Sequence, residues 1–420
     1  MKWIVWYFLL QAPIVLLGQD TLTTYKKRIL EASELETLFS YYNQDGPNAA
    51  VTGGLGTEAL TDATSTLVLR VPLNEDDVLT VDTGLSAYTS ASSSNINPFD
   101  GNNPADAYDA SSGASRTDML VYFNPTYTHN SDDRNQSWSA NAYVSSEYDY
   151  FSLGFGADMV RRFNDKNTEL AIGAMAYFDA WNPQYPIELR PAFEGAVQGY
   201  TPNFQPFVEE NRNSYSLSLS LTQVLGKKVQ ASIFMDVVLQ EGLLSTPFQR
   251  VYFGDRKDFI VENFQLADDV ERLPDARFKL PIGLRLNYYL NDIAVLRSYY
   301  RWYTDDWGIT AHTANVELPL KLGDRFTLYP QYRWYTQTAT DYFYEKEEAI
   351  SSLNFYTSDF DLSGYTAHQY GLGIRYRNLF SQKRFLIFGL KAVDLRYAHY
   401  RRDTELNANI VTLATTFVLD

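Results

Sequence analysis

Apolar and polar residues alternate with a period of two along most of the chain. In residues 229–239 one face carries Val229, Ala231, Ile233, Met235, Val237 and Leu239, and the other Gln230, Ser232, Phe234, Asp236 and Val238. Residues 214–222 set Tyr215, Leu217, Leu219 and Leu221 against Ser214, Ser216, Ser218, Ser220 and Thr222. Residues 278–290 set Phe278, Leu280, Ile282, Leu284, Leu286, Tyr288 and Leu290 against Lys279, Pro281, Gly283, Arg285, Asn287 and Tyr289. Period two is the geometry of a β-strand, whose side chains point alternately to opposite faces. The runs exceed the roughly 5–6 residues usual in globular strands and match the ~9–11 that a tilted strand needs to cross a bilayer.

Sixteen such strands are predicted, from 46–53 to 408–419. The long connections, 91–115, 182–213, 241–275 and 339–364, all follow odd-numbered strands, whereas tight ones such as 74–77, 291–292 and 321–323 follow even-numbered strands. Long loops at one end and short turns at the other, with an even strand count, predict an all-β fold: a closed antiparallel transmembrane β-barrel of about 16 strands. Closure also removes exposed strand edges. In strand 385–402, Asp394 and Arg396 fall on the apolar parity, so a bulge near Ala392–Val393 is expected to restore the phase.

The first 45 residues read differently. Residues 1–18 have Lys2 followed by an apolar run to Leu17 and a small Gly18, the pattern of a secretory signal peptide. In residues 19–45 the spacing of Ile29, Leu30, Leu35, Leu38 and Phe39 predicts a short helical or plug-like segment on the periplasmic side. The barrel is expected to occupy 46–420.

Charge and composition narrow the function classes. Lys plus Arg number 35 and Asp plus Glu 51, a formal net charge of −16, which argues against nucleic acid as a partner. There is no cysteine, so disulfide scaffolds, thiolate metal sites and thiol catalysis are excluded. The four histidines, His129, His312, His368 and His399, are not spaced with a nucleophile or with each other, and no enzymatic activity or cofactor is expected. Loop 91–115 holds Asp100, Asp106 and Asp109 among several Asn residues, a weak calcium candidate without an EF-hand register.

The inward parity carries the more specific pattern. Strands three to nine contribute Asp82, Asp118, Glu147, Asp158, Asp179 and Asp236; strands ten to fifteen contribute Arg285, Arg297, Arg301, Arg333, Arg375, Arg377 and Lys391, with Glu317 as an exception. An acidic wall facing a basic wall across a water-filled lumen creates a transverse field that filters small polar solutes. Sixteen strands usually enclose such a channel. The competing reading is a sealed barrel in which these groups pair.

Residues 41–62 carry a separate signature. Tyr41 and Tyr42 precede a Gln44-Asp45-Gly46 turn, followed by Ala50-Val51-Thr52-Gly53-Gly54, Gly56, Thr57 and Glu58. Glycines at this density permit a tight turn near the first strand or chain packed against the barrel wall; a phosphate loop is disfavoured because no helix start and no Lys follow. The block resembles the opening of the bacterial domain-of-unknown-function family 3570. Tyr88-Thr89-Ser90-Ala91-Ser92-Ser93 and Tyr300-Arg301-Trp302-Tyr303 with Asp305-Asp306-Trp307-Gly308 resemble its later blocks, and Pro47 and Leu55 depart from its pattern. The resemblance implies an outer-membrane β-barrel. It also implies gene neighbours of thioredoxin-like lipoprotein and flavin-attaching type, hence a link to periplasmic redox or export, and it supplies no catalytic residues. The expectation is therefore a porin-like barrel in the cell outer membrane, in contact with its lipid, that passes small polar solutes. The alternative is a non-conducting scaffold that docks periplasmic or lipoprotein partners.

Overall fold

The computed structural model describes residues 27–89, 117–261, 263–378, 384–385 and 388–419. Sixteen antiparallel strands form the barrel wall: β1 Ser33–Asp45, β2 Leu60–Pro72, β3 Asp77–Thr89, β4 Thr117–Asn130, β5 Gln136–Ser146, β6 Tyr150–Phe163, β7 Thr168–Trp181 and β8 Asn211–Gly226 make the first half. The second half is β9 Val229–Gly242, β10 Ala276–Tyr289, β11 Val295–Asp305, β12 Thr310–Glu317 with its continuation Leu320–Leu322, β13 Phe326–Gln337, β14 Tyr365–Arg377, β15 Phe388–Arg402 and β16 Asn407–Leu419. Each strand pairs with its sequence neighbour, and β1 closes the ring on β16 from Ser33↔Leu419 to Asp45↔Asn407. Every interior strand therefore has both ladders filled, the condition for backbone polar groups to survive in hydrocarbon.

The alternation sorts as expected. Phe39, Leu67, Leu85, Phe123, Phe155, Ile172, Leu217, Ile233, Leu284, Leu372 and Leu413 are exposed on the outer face. An apolar belt of this extent on a closed barrel is stable against lipid and a liability in water. The fold is that of an outer-membrane β-barrel. The bulge in β15 occurs between Leu390 and Ala392, and beyond it Asp394 and Arg396 lie on the lumen side. Pro319, which has no N–H to give the ladder, interrupts β12 between Glu317 and Leu320.

Two expectations at the N-terminus are corrected. Residues 33–45 are strand β1, not part of a helical or plug-like segment, so the barrel begins at 33 and not at 46. Leu35, Phe39 and Tyr41 share the outer face with Thr37, whereas Leu38 faces inward among Glu34, Glu36, Ser40 and Tyr42. That single inward leucine produced the i, i+3, i+4 spacing that mimics a helix. Residues 46–53 are not a strand but the start of a loop with one 3₁₀ turn, Ala50–Thr52. Residues 1–18, and 19–26 of the next segment, lie outside the described residues.

The fold's hydrophobic core is not in the wall. It lies in the long connections β7–β8, β9–β10 and β13–β14, which all emerge at one end and pack together as a cap. Phe193, Phe264 and Leu266 form one buried cluster; Leu189, Tyr252, Ala267 and Val270 a second; Val251, Phe253, Ala349 and Tyr356 a third. Leu244, Leu273 and Trp307 join the cap to the barrel rim.

Candidate functional site: the lumen and its cap

One buried arginine organises the cap. Arg250 in the β9–β10 loop is fully buried. Its Nε donates to Glu188 Oε1 at 2.7 Å and its second terminal nitrogen to Glu188 Oε2 at 3.2 Å, the fork geometry of a bidentate pair. Its other nitrogen donates to the Val51 carbonyl at 3.0 Å, and the guanidinium lies 5.1 Å from the centre of the Phe264 ring. Three loops, β1–β2, β7–β8 and β9–β10, are thus tied through one side chain. Asp269 adds the fourth: it accepts from the Tyr356 hydroxyl at 2.6 Å in the β13–β14 loop and from Arg272 Nε at 3.0 Å.

The glycine-rich signature finds its place here. Gln44 and Asp45 end β1, the Gln44 amide donates to the Glu58 carbonyl at 3.0 Å, and the Glu58 N–H donates to Gly46 O at 2.8 Å, closing the loop on itself. Val51 is buried, Thr52 donates to Ala49 O at 3.3 Å, and Thr57 accepts from Ala59 N at 3.1 Å. Gly53 has φ +76° and a Cβ there would lie 2.5 Å from the Tyr252 ring; Gly54, φ +85°, would meet Phe360 and Ser358 O at 3.0 Å. Gly56 is also left-handed, at φ +104°. The run is a tight turn, as expected, but it packs against the other loops and not against the barrel wall.

Four carboxyls in the cap are held above their ordinary range, Asp268 among them by burial. Burial, reinforced by Asp359, pushes Glu271 up to about 8, although it accepts from Thr246 N at 2.7 Å and the Thr357 hydroxyl at 2.5 Å. Burial and the neighbouring Asp361 push Glu58 to about 7 and Asp359 to about 6. The β13–β14 loop dips into the barrel mouth at this point. Asp361 pairs with Arg402 of β15 at 2.6 Å, and the Gln337 amide donates to Asp361 O and Ser363 O. Beneath it Arg301, Tyr303, Tyr335 and Gln337 line a cavity of about 170 Å³.

The ladders place the strand residues expected in the lumen on the inward parity, with Glu147 just past the end of β5 and Lys391 in the β15 bulge, but the two walls differ in kind. On the acidic side no carboxylate has a Lys or Arg partner among the described residues. Asp82 accepts from the Tyr122 hydroxyl at 2.8 Å, Glu147 from Tyr88 at 2.9 Å, Asp179 from Tyr150 at 2.5 Å and Asp158 from Ser139 at 3.3 Å. Asp118 accepts from its neighbour's N–H, and Asp118, Glu147 and Asp149 gather close to one another. The calcium candidates Asp100, Asp106 and Asp109 lie outside the described residues.

The opposite wall is only partly basic. Arg297 and Arg396 share Glu317 at 2.8 and 3.2 Å, Arg375 pairs with Asp394 at 2.7 Å, and Lys391 reaches Glu34 at 2.5 Å. The bulge brings Asp394 to the lumen face as expected, but its pairing with Arg375 was not legible, and Glu34 lies in the segment read as helical or plug-like. Arg285, Arg301, Arg333 and Arg377 have no ion pair among the described residues. Arg285 and Arg301 instead lie over lumen aromatics, 4.9 Å from the Phe234 centroid and 5.8 Å from Tyr303. Tyr88, Tyr122, Tyr150, Tyr303 and Tyr335 also face the lumen, where their hydroxyls donate to Glu147, Asp82, Asp179, Asp305 and Gln337; the polar-versus-apolar parity singled out charges and not these rings. The histidines meet rim or outer-face partners: His312 with Tyr300, His368 with Tyr332, His399 with Asn409 and His129 with Asp77.

The family model described as Protein of unknown function (DUF3570) matches residues 12–416. No curated protein matches the chain. Among solved structures it is similar to one described as a bacterial polysaccharide outer membrane secretin, at 11% identity and a TM-score of 0.46, covering 93% of this chain and 99% of that one. A BenF-like porin from Pseudomonas fluorescens Pf-5 has 9% identity and a TM-score of 0.41, with 93% and 100% covered. OccK1 (OpdK) of Pseudomonas aeruginosa has 9% identity and a TM-score of 0.39, with 92% and 98% covered. Nothing about the contents of this barrel follows from likenesses at that level.

Proposed function

This chain belongs to the DUF3570 family, and on that footing we propose that it is an outer-membrane pore for small polar solutes, its outer mouth narrowed by its own folded loops. The observation that carries the reading is unpaired, solvent-accessible charge on the lumen side. Asp158 and Arg285 are solvent-exposed on the lumen side, and with Asp236 they line a cavity of about 480 Å³. A sealed barrel would have to neutralise such groups, because an unpartnered buried charge costs several kcal/mol. Sixteen strands leave room for water, and opposed charges along that water sort solutes by charge and dipole.

Two expected outcomes test this. In planar bilayers the purified protein conducts, and Arg301→Gln with Arg333→Gln shifts the reversal potential across a salt gradient toward cations. Asp118→Asn with Asp158→Asn shifts it toward anions. The shifts shrink in concentrated salt, where the Debye length falls to about 3 Å at 1 M. A wild-type barrel that folds but never conducts would remove the pore and leave a second reading, a docking scaffold, which the cap's separate hydrophobic core favours.

The second outcome concerns sidedness. The cap residues Val208 and Ile260 are strongly exposed. In this cysteine-free chain, Val208→Cys and Ile260→Cys react with a membrane-impermeant maleimide on intact cells, whereas Lys227→Cys and Asp292→Cys in the short turns react only after permeabilisation. The reverse pattern would place the cap in the periplasm.

A further inference from the structure

The cavity on the β6–β10 side of the lumen has an order of its own. Asp158 pairs in register with Gly173, Gly173 with Ser218, and Ser218 with Asp236, so the two carboxylates sit on one row across four strands. At ~4.8 Å per strand spacing their backbones are roughly 14 Å apart. The two residues between them are small. A Cβ on Gly173 would lie 2.3 Å from Asp158 Oδ1, so the Asp158 carboxylate leans across the glycine into the depression. On the same wall Arg285 is opposite Ser232, and its guanidinium reaches back over Phe234, 4.9 Å from the ring centre, with Tyr299 at 5.9 Å on the other side. Phe234 lies one lumen-facing position from Asp236, about 7 Å along the strand.

On part of the opposite wall, by contrast, opposite charges quench one another, as Arg297 does with Glu317 and Arg375 with Asp394. Here Arg285, Asp158 and Asp236 face one cavity and none has an ion-pair partner among the described residues. We propose that this cavity is a binding subsite for small zwitterionic solutes of amino-acid type, a substrate class that rests on the pore reading above. The Arg285 fork takes the solute carboxylate, which it fits in a bidentate manner while its face stays on Phe234. Asp158 or Asp236 takes the ammonium. Phe234 and Tyr299 border the methylenes between them. A solute with one charge leaves the other group of the site unmatched, and a neutral one leaves both.

Binding and conduction are measured separately. The detergent-solubilised barrel is dialysed at low salt against radiolabelled 4-aminobutyrate, butyrate or butylamine. The zwitterion is expected to bind about tenfold tighter than either singly charged probe, the worth of one charge-assisted contact. Arg285→Gln reduces it to the level of butylamine, and Asp158→Asn with Asp236→Asn reduces it to the level of butyrate. Heat-modifiable migration on gels verifies that the variants are folded. Equal binding of the three probes, or a preference untouched by the variants, overturns the subsite. In bilayers, conduction without that preference leaves the pore and removes the subsite; zwitterion binding without conduction leaves the subsite and removes the pore.

Discussion

Replacing Arg250 with alanine unlocks the cap and leaves the barrel standing. The side chain is fully buried, donates twice to Glu188 and once to Val51 O, and stacks on Phe264. Its removal leaves the Glu188 carboxylate buried opposite a void, and breaking one side of such a pair costs roughly 3–5 kcal/mol. The cost falls on the cap because the wall's ladders do not pass through it: β1 to β16 pair with each other whatever the loops do. Local opening below the global unfolding free energy is then expected. Proteinase K should cut the β9–β10 loop of Arg250→Ala far faster than that of the wild type, while the barrel core keeps its heat-modifiable migration. If the cap narrows the mouth, conductance rises as well. Glu188→Leu combined with Arg250→Met removes both charges and should recover much of the protection, since well-packed apolar replacements of a buried pair are often neutral. Equal cleavage of wild type and Arg250→Ala would show that the loops are held by their apolar clusters alone.

The wall was legible in the sequence because one physical rule governs it. Lipid on one side and water on the other impose strict alternation, so the strand count, the loop parity and a bulge in β15, expected near Ala392–Val393 and found between Leu390 and Ala392, could be read from parity. The rule failed where a residue broke alternation without a bulge, as Leu38 does in β1. The lumen charges could be placed on the correct face but not paired, because pairing depends on neighbours across strands. Lys391 meets Glu34 only because β15 lies one strand from the closing seam between β16 and β1. The cap was not legible. Its ties run between loops far apart in sequence, from Val51 to Arg250 to Glu188, and no periodicity connects them. The available signal was compositional: Val251-Tyr252-Phe253 and Phe264 are unusually apolar for a solvent loop. The signature at 44–58 stands out in the sequence, yet its packing role becomes visible only with Tyr252 and Phe360 against its glycines.

Raising the pH from 5 to 9 should loosen the cap, with Glu271 contributing the largest single share and Glu58 and Asp359 the rest. Its carboxyl is raised from an ordinary 4.5 to about 8, chiefly by burial and then by Asp359, itself raised to about 6. The folded cap therefore holds protons that the opened cap releases between those values. Stability falls with pH wherever the folded state binds more protons than the unfolded one. The contribution of Glu271 is fully present below about 4.5 and is lost progressively as pH rises through about 8. For one fully buried carboxyl this amounts to roughly 3–5 kcal/mol. Arg250 and Arg272 stay charged across this window, so they do not mask it. Asp255, held low by its bonds to Ser351, acts in the opposite sense, but only as pH falls below its ordinary 3.8. Protease cleavage of the cap, measured from pH 5 to 9 against a loop-free barrel control for enzyme activity, should accelerate on the alkaline side. Glu271→Gln keeps an acceptor for Thr246 N and a polar partner for Thr357 but has no proton to lose, so its profile should be shallower than the wild type's and should flatten above about pH 7, where Glu58 and Asp359 have already titrated. A wild-type cap that tightens with rising pH, or a Glu271→Gln profile that still follows the wild type between pH 7 and 9, would mean that the Glu271 carboxylate is ionised in the folded cap and that its two hydrogen bonds outweigh burial.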